Sequence, residues 1–183
     1  MTNPVERLVE RVLVLRCQTG DAAAFEELVG RYTPRVRNFL GQLLGDAHVA
    51  EDVLQEVWLD VFRGVEKLLE LDAFRPWLYR IARDRAYRLL RRRGFRTRPI
   101  EGVEVPGPPE EDDANSDQRD LLGSSLELLP LEQREVVVLR YVEKMPYEQI
   151  ADAVGCGIGT VRSRLHYAKR ALRRQIERKK DHD

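Results

Sequence analysis

Apolar residues recur at helical spacing along most of this chain, and strand-like alternation is nearly absent. From Asp21, Phe25, Leu28, Val29 and Tyr32 make one helical face. Val36, Phe39, Leu40, Leu43 and Leu44 continue it beyond Pro34, where the helix is expected to be interrupted or to restart. Gly45-Asp46 marks a break. A second helix is predicted from about Val49 to Arg63, with Val53, Leu54, Val57, Trp58, Val61 and Phe62 as its buried side. Glu51, Asp52, Gln55, Glu56 and Asp60 lie away from that stripe as an acidic outer face. The next helix, from Phe74 to Arg93, turns Trp77, Ile81, Ala82 and Leu89 inward, with Arg80, Arg83, Tyr87 and Arg91 on the other side. Arginines interleaved with an aromatic suit single-stranded DNA, because cations follow phosphates while a ring offers a base a stacking surface. Packing of Tyr87 against arginine stems explains the same pattern.

The second half of the chain repeats this logic. Leu121, Leu122, Leu126 and Leu128 open a unit, Leu129-Pro130 breaks it, and a helix from Leu131 to about Val142 buries Val136, Val137, Leu139 and Val142. Pro146 suits a first helical turn, and Ile150, Ala151 and Val154 recur at helical spacing behind it. Gly155 stands where a left-handed cap is wanted. Gly157 and Gly159 suit a close approach of two backbones, and Thr160 is the expected cap of a second helix, a role Gly159 can share. On that helix Val161, Leu165, Ala168 and Leu172 form one narrow apolar stripe. Arg162, Ser163, His166, Arg170 and Arg173 face the opposite way, with Tyr167 and Arg174 at the flank. One buried stripe with arginines and short polar residues opposite is what a helix needs to enter a major groove, so the segment reads as a DNA-binding helix-turn-helix rather than a solvated basic helix.

Charge sharpens the picture. The 31 basic and 31 acidic residues cancel in total but not in place. Arg75 to Arg98 holds ten arginines against Asp84, and Thr160 to Lys180 holds nine Lys or Arg against Glu177. Between Glu101 and Asp120 eight acids face only Arg119, among Pro106, Pro108 and Pro109. Two basic helices separated by an acidic, Pro-rich connector suit a protein that touches nucleic acid twice. The expected class is all-α, with two small helical domains joined by an acidic flexible linker. Residues 1–20 are an N-terminal extension, 21–98 the first domain, 99–120 the linker and 121–183 the helix-turn-helix domain.

Other chemistries find little support. The acids at 51, 52, 55, 56 and 60 could hold a divalent metal as in a helical nuclease, but no histidine is suitably placed. His48, His166 and His182 have no neighbouring nucleophile or ligand set. No catalytic residue, metal, cofactor or small-molecule substrate is expected. Cys17 and Cys156 stand far apart, charges interrupt every early apolar run, and no segment approaches a membrane span, so a cytoplasmic protein is expected.

Three motifs in order carry a resemblance: Ala50-Glu51-Asp52-Val53-Leu54-Gln55-Glu56-Val57-Trp58, Trp77-Leu78-Tyr79-Arg80-Ile81-Ala82-Arg83, and Gly159-Thr160-Val161-Arg162-Ser163-Arg164-Leu165. Together with Asp21 to Leu28, Leu129-Pro130 and Glu148-Gln149-Ile150-Ala151, they resemble a bacterial extracytoplasmic-function sigma factor, a minimal member of the housekeeping sigma family. The resemblance covers nearly all of the chain after Asp21. It implies that the first domain is sigma region two, docking on core RNA polymerase through Asp52, Gln55 and Glu56. It also implies that Leu69 to Arg91 opens the minus-ten promoter element, with Arg80, Arg83, Asp84, Tyr87, Arg88 and Arg91 at the DNA. Region four would read the minus-thirty-five element through Thr160, Arg162, Ser163, His166, Tyr167, Arg170 and Arg173. The resemblance further implies an anti-sigma protein as partner. The chain departs from the family pattern at Asp84 and Arg88, at Pro146 in place of Ser or Thr, and at Tyr167 in place of a frequent arginine. The rival reading is a helix-turn-helix transcription regulator with a ligand-binding or dimerising first domain.

Overall fold

A computed structural model describes residues 4–94 and 126–180, and every regular element among them is helical. The linker expected at 99–120, and Leu121 and Leu122, lie outside the described residues. The first unit comprises α1 (Pro4–Gln18), α2 (Ala22–Leu44), α3 (Ala47–Gly64) and α4 (Phe74–Arg92). Two short 3-10 turns, Val65–Lys67 and Leu71–Ala73, connect the last two. The second unit comprises α5 (Leu131–Val137), α6 (Tyr147–Val154) and α7 (Ile158–Lys180).

Side-chain caps set the starts of α2 and α3. Asp21 accepts from the Ala24 amide at 3.1 Å, and Asp46 accepts from those of His48 and Val49 at 2.9 and 3.1 Å. Each satisfies amide donors that the first helical turn leaves without partners. Gly45 ends α2 at φ 69°, a left-handed position that glycine reaches without a Cβ penalty. Contrary to expectation, α2 runs unbroken through Pro34. Burial of Leu28, Tyr32, Val36, Phe39 and Leu40 on both sides of Pro34 holds the helix together across the lost hydrogen bond. Each such large apolar side chain contributes roughly 1.5–3 kcal/mol when fully buried.

Residues 4–20 are more than an extension. Helix α1 buries Leu13, Val14 and Cys17 in the core, and Arg16 pairs with the α2 cap Asp21 at 2.7 Å. The Gln18 amide donates to the carbonyls of Val65 and Leu68 at 3.1 and 2.7 Å, tying α1 to the connection that leads into α4. Two side chains expected inside are outside. Phe62 is 62% exposed at the rim of α3, edge-on to Phe25. Val142 is 51% exposed, because α5 widens into a π turn over Val138–Val142 that rotates its last residues outward. The turn closes with Glu143 N–H donating to the Val138 carbonyl at 3.0 Å.

The two units touch. Helix α4 packs against α6, and α2 packs against α5. The described residues form a single buried cluster that runs through both units.

Candidate nucleic-acid interface

The helix-turn-helix is built by backbone hydrogen bonds around three short-range signals. Pro146 caps α6 from outside, at φ −68° and ψ 158°, rather than opening it. Gly155 ends the helix at φ 70°, with its N–H donating to the Ala151 carbonyl at 2.8 Å. Helix α7 starts at Ile158, earlier than expected, so Gly157 takes the cap position: its carbonyl accepts from Thr160 and Val161 at 3.0 and 3.1 Å. Thr160 therefore sits within the first turn instead of capping it. No other backbone lies close to Gly157 or Gly159, where a Cβ would meet open space, so close approach is not what they serve.

Along α7, Val161, Leu165 and Ala168 are buried, while Arg162, His166, Tyr167, Arg170 and Arg173 are exposed and Thr160 and Ser163 half-buried. The expected face is thus presented outward as one surface. Part of it is already organised. The Tyr147 ring on α6 lies beneath two guanidinium groups, Arg140 at 4.7 Å and Arg162 at 5.9 Å. Such cation–π contacts limit where Arg162 can point. The Ser163 hydroxyl donates to the Thr160 carbonyl at 3.0 Å, leaving its oxygen to accept. Tyr167 stands edge-on to His166 at 5.6 Å.

On α4 the expected DNA residues divide. Arg80, Asp84, Arg88 and Arg91 are exposed. Tyr87 is not: it is 6% exposed, with the Arg83 guanidinium 4.2 Å from its ring centre. Arg83 pairs with Glu135 of the second unit at 2.8 Å. Burial works against the charge of Arg83, but Glu135 outweighs it and raises the guanidinium above its ordinary value. Burial pushes the Glu135 carboxyl up, against the pull of Arg83 and Arg164. The helical wheel placed Arg83 and Tyr87 correctly on one face; what it could not show is that the second unit covers that face.

The acidic face of α3 is present, with Asp52, Gln55 and Glu56 exposed. Three of its acids are held by arginines. Glu51 pairs with Arg37 at 2.7 Å, a hydrogen bond that lowers its carboxyl below the usual value. Arg85 on α4 pairs with Asp60 and Glu56 at 2.6 and 2.7 Å. Among the described residues no three His, Cys, Asp or Glu side chains converge as a metal-holding group.

Comparison with known proteins now decides the family. Residues 28–96 match the profile of Sigma-70 region 2, and residues 119–172 that of Sigma-70, region 4. The chain is 32% identical to the ECF RNA polymerase sigma-E factor of Haemophilus influenzae, over 94% of this chain and 97% of that one. The chain belongs to the ECF sigma factors. It is also 31% identical to the Escherichia coli sigma-E factor over 94% of its length and 96% of the relative. ECF sigma factor with sigma-70-type regions two and four describes it better than a housekeeping sigma. Among solved structures, it resembles the sigma factor RpoE in complex with the anti-sigma factor NepR from Bartonella quintana. That likeness has TM-score 0.64 and 25% identity, covering 84% of this chain and 96% of that one. CnrH in complex with the cytosolic domain of CnrY shares the fold, with TM-score 0.70 and 22% identity over 92% and 97% of the two chains. Sigma factors are initiation factors, not catalysts. Among the described residues no helix is long and apolar enough to cross a membrane.

Proposed function

We propose that this ECF sigma factor binds core RNA polymerase through α3 and grips promoter DNA at two places, directing transcription initiation from the cytoplasm. Asp52, Gln55 and Glu56 are the polymerase contacts. Leu59 and Phe62, 53% and 62% exposed, follow them at helical spacing on the same helix and extend the surface with an apolar end. Arg80, Arg83, Asp84, Tyr87, Arg88 and Arg91 serve the opened minus-ten element, with cations along the backbone and Tyr87 as a stacking surface. Thr160, Arg162, Ser163, His166, Tyr167, Arg170 and Arg173 serve the minus-thirty-five duplex. The observation that carries the reading is the outward face of α7, held by the buried stripe Val161, Leu165 and Ala168 and preceded by a capped turn.

An anti-sigma protein is the expected inhibitor; the RpoE relative is solved in complex with one, NepR. The rival reading, a regulator with a ligand-binding or dimerising first domain, is not favoured, since that domain matches Sigma-70 region 2. The test is co-purification with core polymerase followed by run-off transcription over a promoter library. A selected pair of upstream and downstream elements is the expected result. A chain that binds duplex DNA in isolation and never joins core polymerase would overturn the proposal.

A further inference from the structure

Helix α1 is apolar on two faces. Leu13, Val14 and Cys17 are buried in the core, yet Leu8, Val12 and Leu15 are 61%, 47% and 53% exposed. With Val5, exposed one step earlier, they follow one another at spacings of three, four and three residues. That is a heptad seam, with valine at the a positions and leucine at the d positions. Exposed apolar residues scattered singly are ordinary on a protein surface, but a run of them in register along one helix is not. A strict a/d seam is also narrow, the width of a second helix rather than of a broad apolar face.

We propose that the outer seam of α1 docks one amphipathic helix of a partner protein, a helix whose own apolar seam is flanked by Glu or Asp. Charge selects that occupant. The g and e positions beside the seam carry Arg11 and Arg16, and Arg7 stands further round, all three exposed. The acids of α1 are elsewhere: Glu10 is buried on the core side, and Glu6 lies well round the helix from the seam. A second copy of this chain would therefore bring arginine and no acid to the flanks, in either orientation. The two flanking arginines have partners within the chain, Arg16 with Asp21 at 2.7 Å and Arg11 with Asp72 at 3.8 Å. Pairs this open to water hold little energy, so they exchange for a partner's carboxylates at little cost. A lipid surface needs a wide apolar face, whereas the core takes the other side of α1 and leaves only the seam. The helix is also fixed in place, through its buried residues and through Gln18 at the carbonyls of Val65 and Leu68. Binding therefore has no ordering of α1 to offset. None of the seam residues belongs to the faces assigned above to polymerase or promoter DNA.

The test uses the full chain and a labelled synthetic helix of a few heptads, with Ile at a, Leu at d and Glu at e and g, read by fluorescence anisotropy. Its control carries Lys at e and g. The Glu peptide should bind at least about tenfold more tightly than the Lys peptide, and added salt should narrow that gap. Leu8→Glu combined with Val12→Glu should weaken Glu-peptide binding by more than about tenfold while leaving the melting temperature unchanged, since both side chains are exposed. Should that double variant fail to fold by circular dichroism, Leu15→Gln decides instead, with a smaller loss in the same direction. Arg11→Glu should narrow the preference for the Glu peptide over the Lys peptide. Equal binding of the Glu peptide to the wild type and to a folded seam variant overturns the proposal, and so does equal binding of the two peptides. A dimer of the chain alone in sedimentation, dissolved by the seam variant, gives the seam to a second copy and also overturns it. Seam-dependent binding to phosphatidylglycerol vesicles, with no binding of the Glu peptide, gives the seam to a lipid surface and does the same.

Discussion

Arg85 on α4 grips Asp60 on α3 with two parallel hydrogen bonds, Nε to one carboxylate oxygen at 2.6 Å and Nη2 to the other at 2.7 Å. Its remaining Nη1 reaches Glu56 at 2.7 Å. One guanidinium therefore ties the proposed polymerase face to the proposed DNA helix. It also divides the acids of α3 into those held internally and those free to meet a partner.

Asp52 makes no ion pair among the described residues, whereas Glu56 shares its charge with Arg85. Asp52→Lys should therefore leave stability within about 0.5 kcal/mol, as exposed substitutions do, while sharply weakening polymerase binding. Glu56→Lys should do both kinds of harm, because it sets two cations together. Arg85→Ala should cost about 1–2 kcal/mol, less than a fully buried charged pair because the side chain is 23% exposed. Thermal unfolding and co-sedimentation with core polymerase separate these effects. Wild-type assembly by Asp52→Lys would remove Asp52 from the interface.

Gly64 closes α3 beneath the Trp77 indole. A Cβ there would lie 2.9 Å from Cζ2 and 3.3 Å from Cη2 of that ring, closer than side chains pack. Gly64→Ala should push the indole outward and destabilise the first unit by about 1–3 kcal/mol. In a Trp58→Phe background, which leaves Trp77 as the only tryptophan, the emission maximum should shift to the red. Unchanged emission and melting would show that the ring yields at no cost.

Most of the helical architecture is legible from spacing and caps, because those signals are local. Asp46 before Val49, Gly155 after Val154, and the stripe Val161, Leu165 and Ala168 all act within a turn or two of chain. What escapes the sequence is long-range. Phe62 continues the apolar spacing of α3, but the helix ends at the rim of its unit and leaves the ring outside. Val142 is displaced by a π turn that no residue type announces. Tyr87 and Arg83 stand on the face the wheel predicts, and are covered only because a segment some fifty residues later brings Glu135 against them. Helix α1 was recoverable in principle. Its Val9, Leu13, Val14 and Cys17 recur at helical spacing, but Leu8, Val12 and Leu15, apolar as well, point outward and blur the stripe.

Glu10 supplies a pH test of that first helix. It is buried, accepts a hydrogen bond from the Tyr32 hydroxyl, and has its carboxyl pushed up to about 7 by burial, against the pull of Arg75, Arg31 and Arg35. The unfolded value is the ordinary 4.5, so between pH 4.5 and 7 the folded chain binds more protons than the unfolded one. Stability from this group is complete below pH 4.5 and declines as pH rises through 7, by about 3 kcal/mol in all. Urea unfolding across pH 5 to 8 should show that decline, and Glu10→Gln should flatten it. An equal slope in the variant would place the titration elsewhere.

The last test concerns the outward face of α7. Arg162 lies opposite Val161 and Leu165 and is steadied by the Tyr147 ring, so it is placed to meet a base edge rather than sweep the backbone. A bidentate arginine–guanine contact discriminates by roughly 1–3 kcal/mol, whereas a phosphate contact weakens all sequences alike. Arg162→Ala should relax preference at one upstream position while barely changing affinity for scrambled duplex. Tyr147→Ala should produce a weaker version of the same loss, since it frees the guanidinium without removing it. Arg173→Ala should weaken both duplexes equally and reduce the steepness of the salt dependence, as the loss of one phosphate contact does. Binding of the full chain to a selected upstream element and to its scramble, measured across salt, distinguishes the three. If Arg162→Ala weakens both duplexes in equal proportion, Arg162 touches the backbone, and α7 is rotated in the groove relative to the face assigned here.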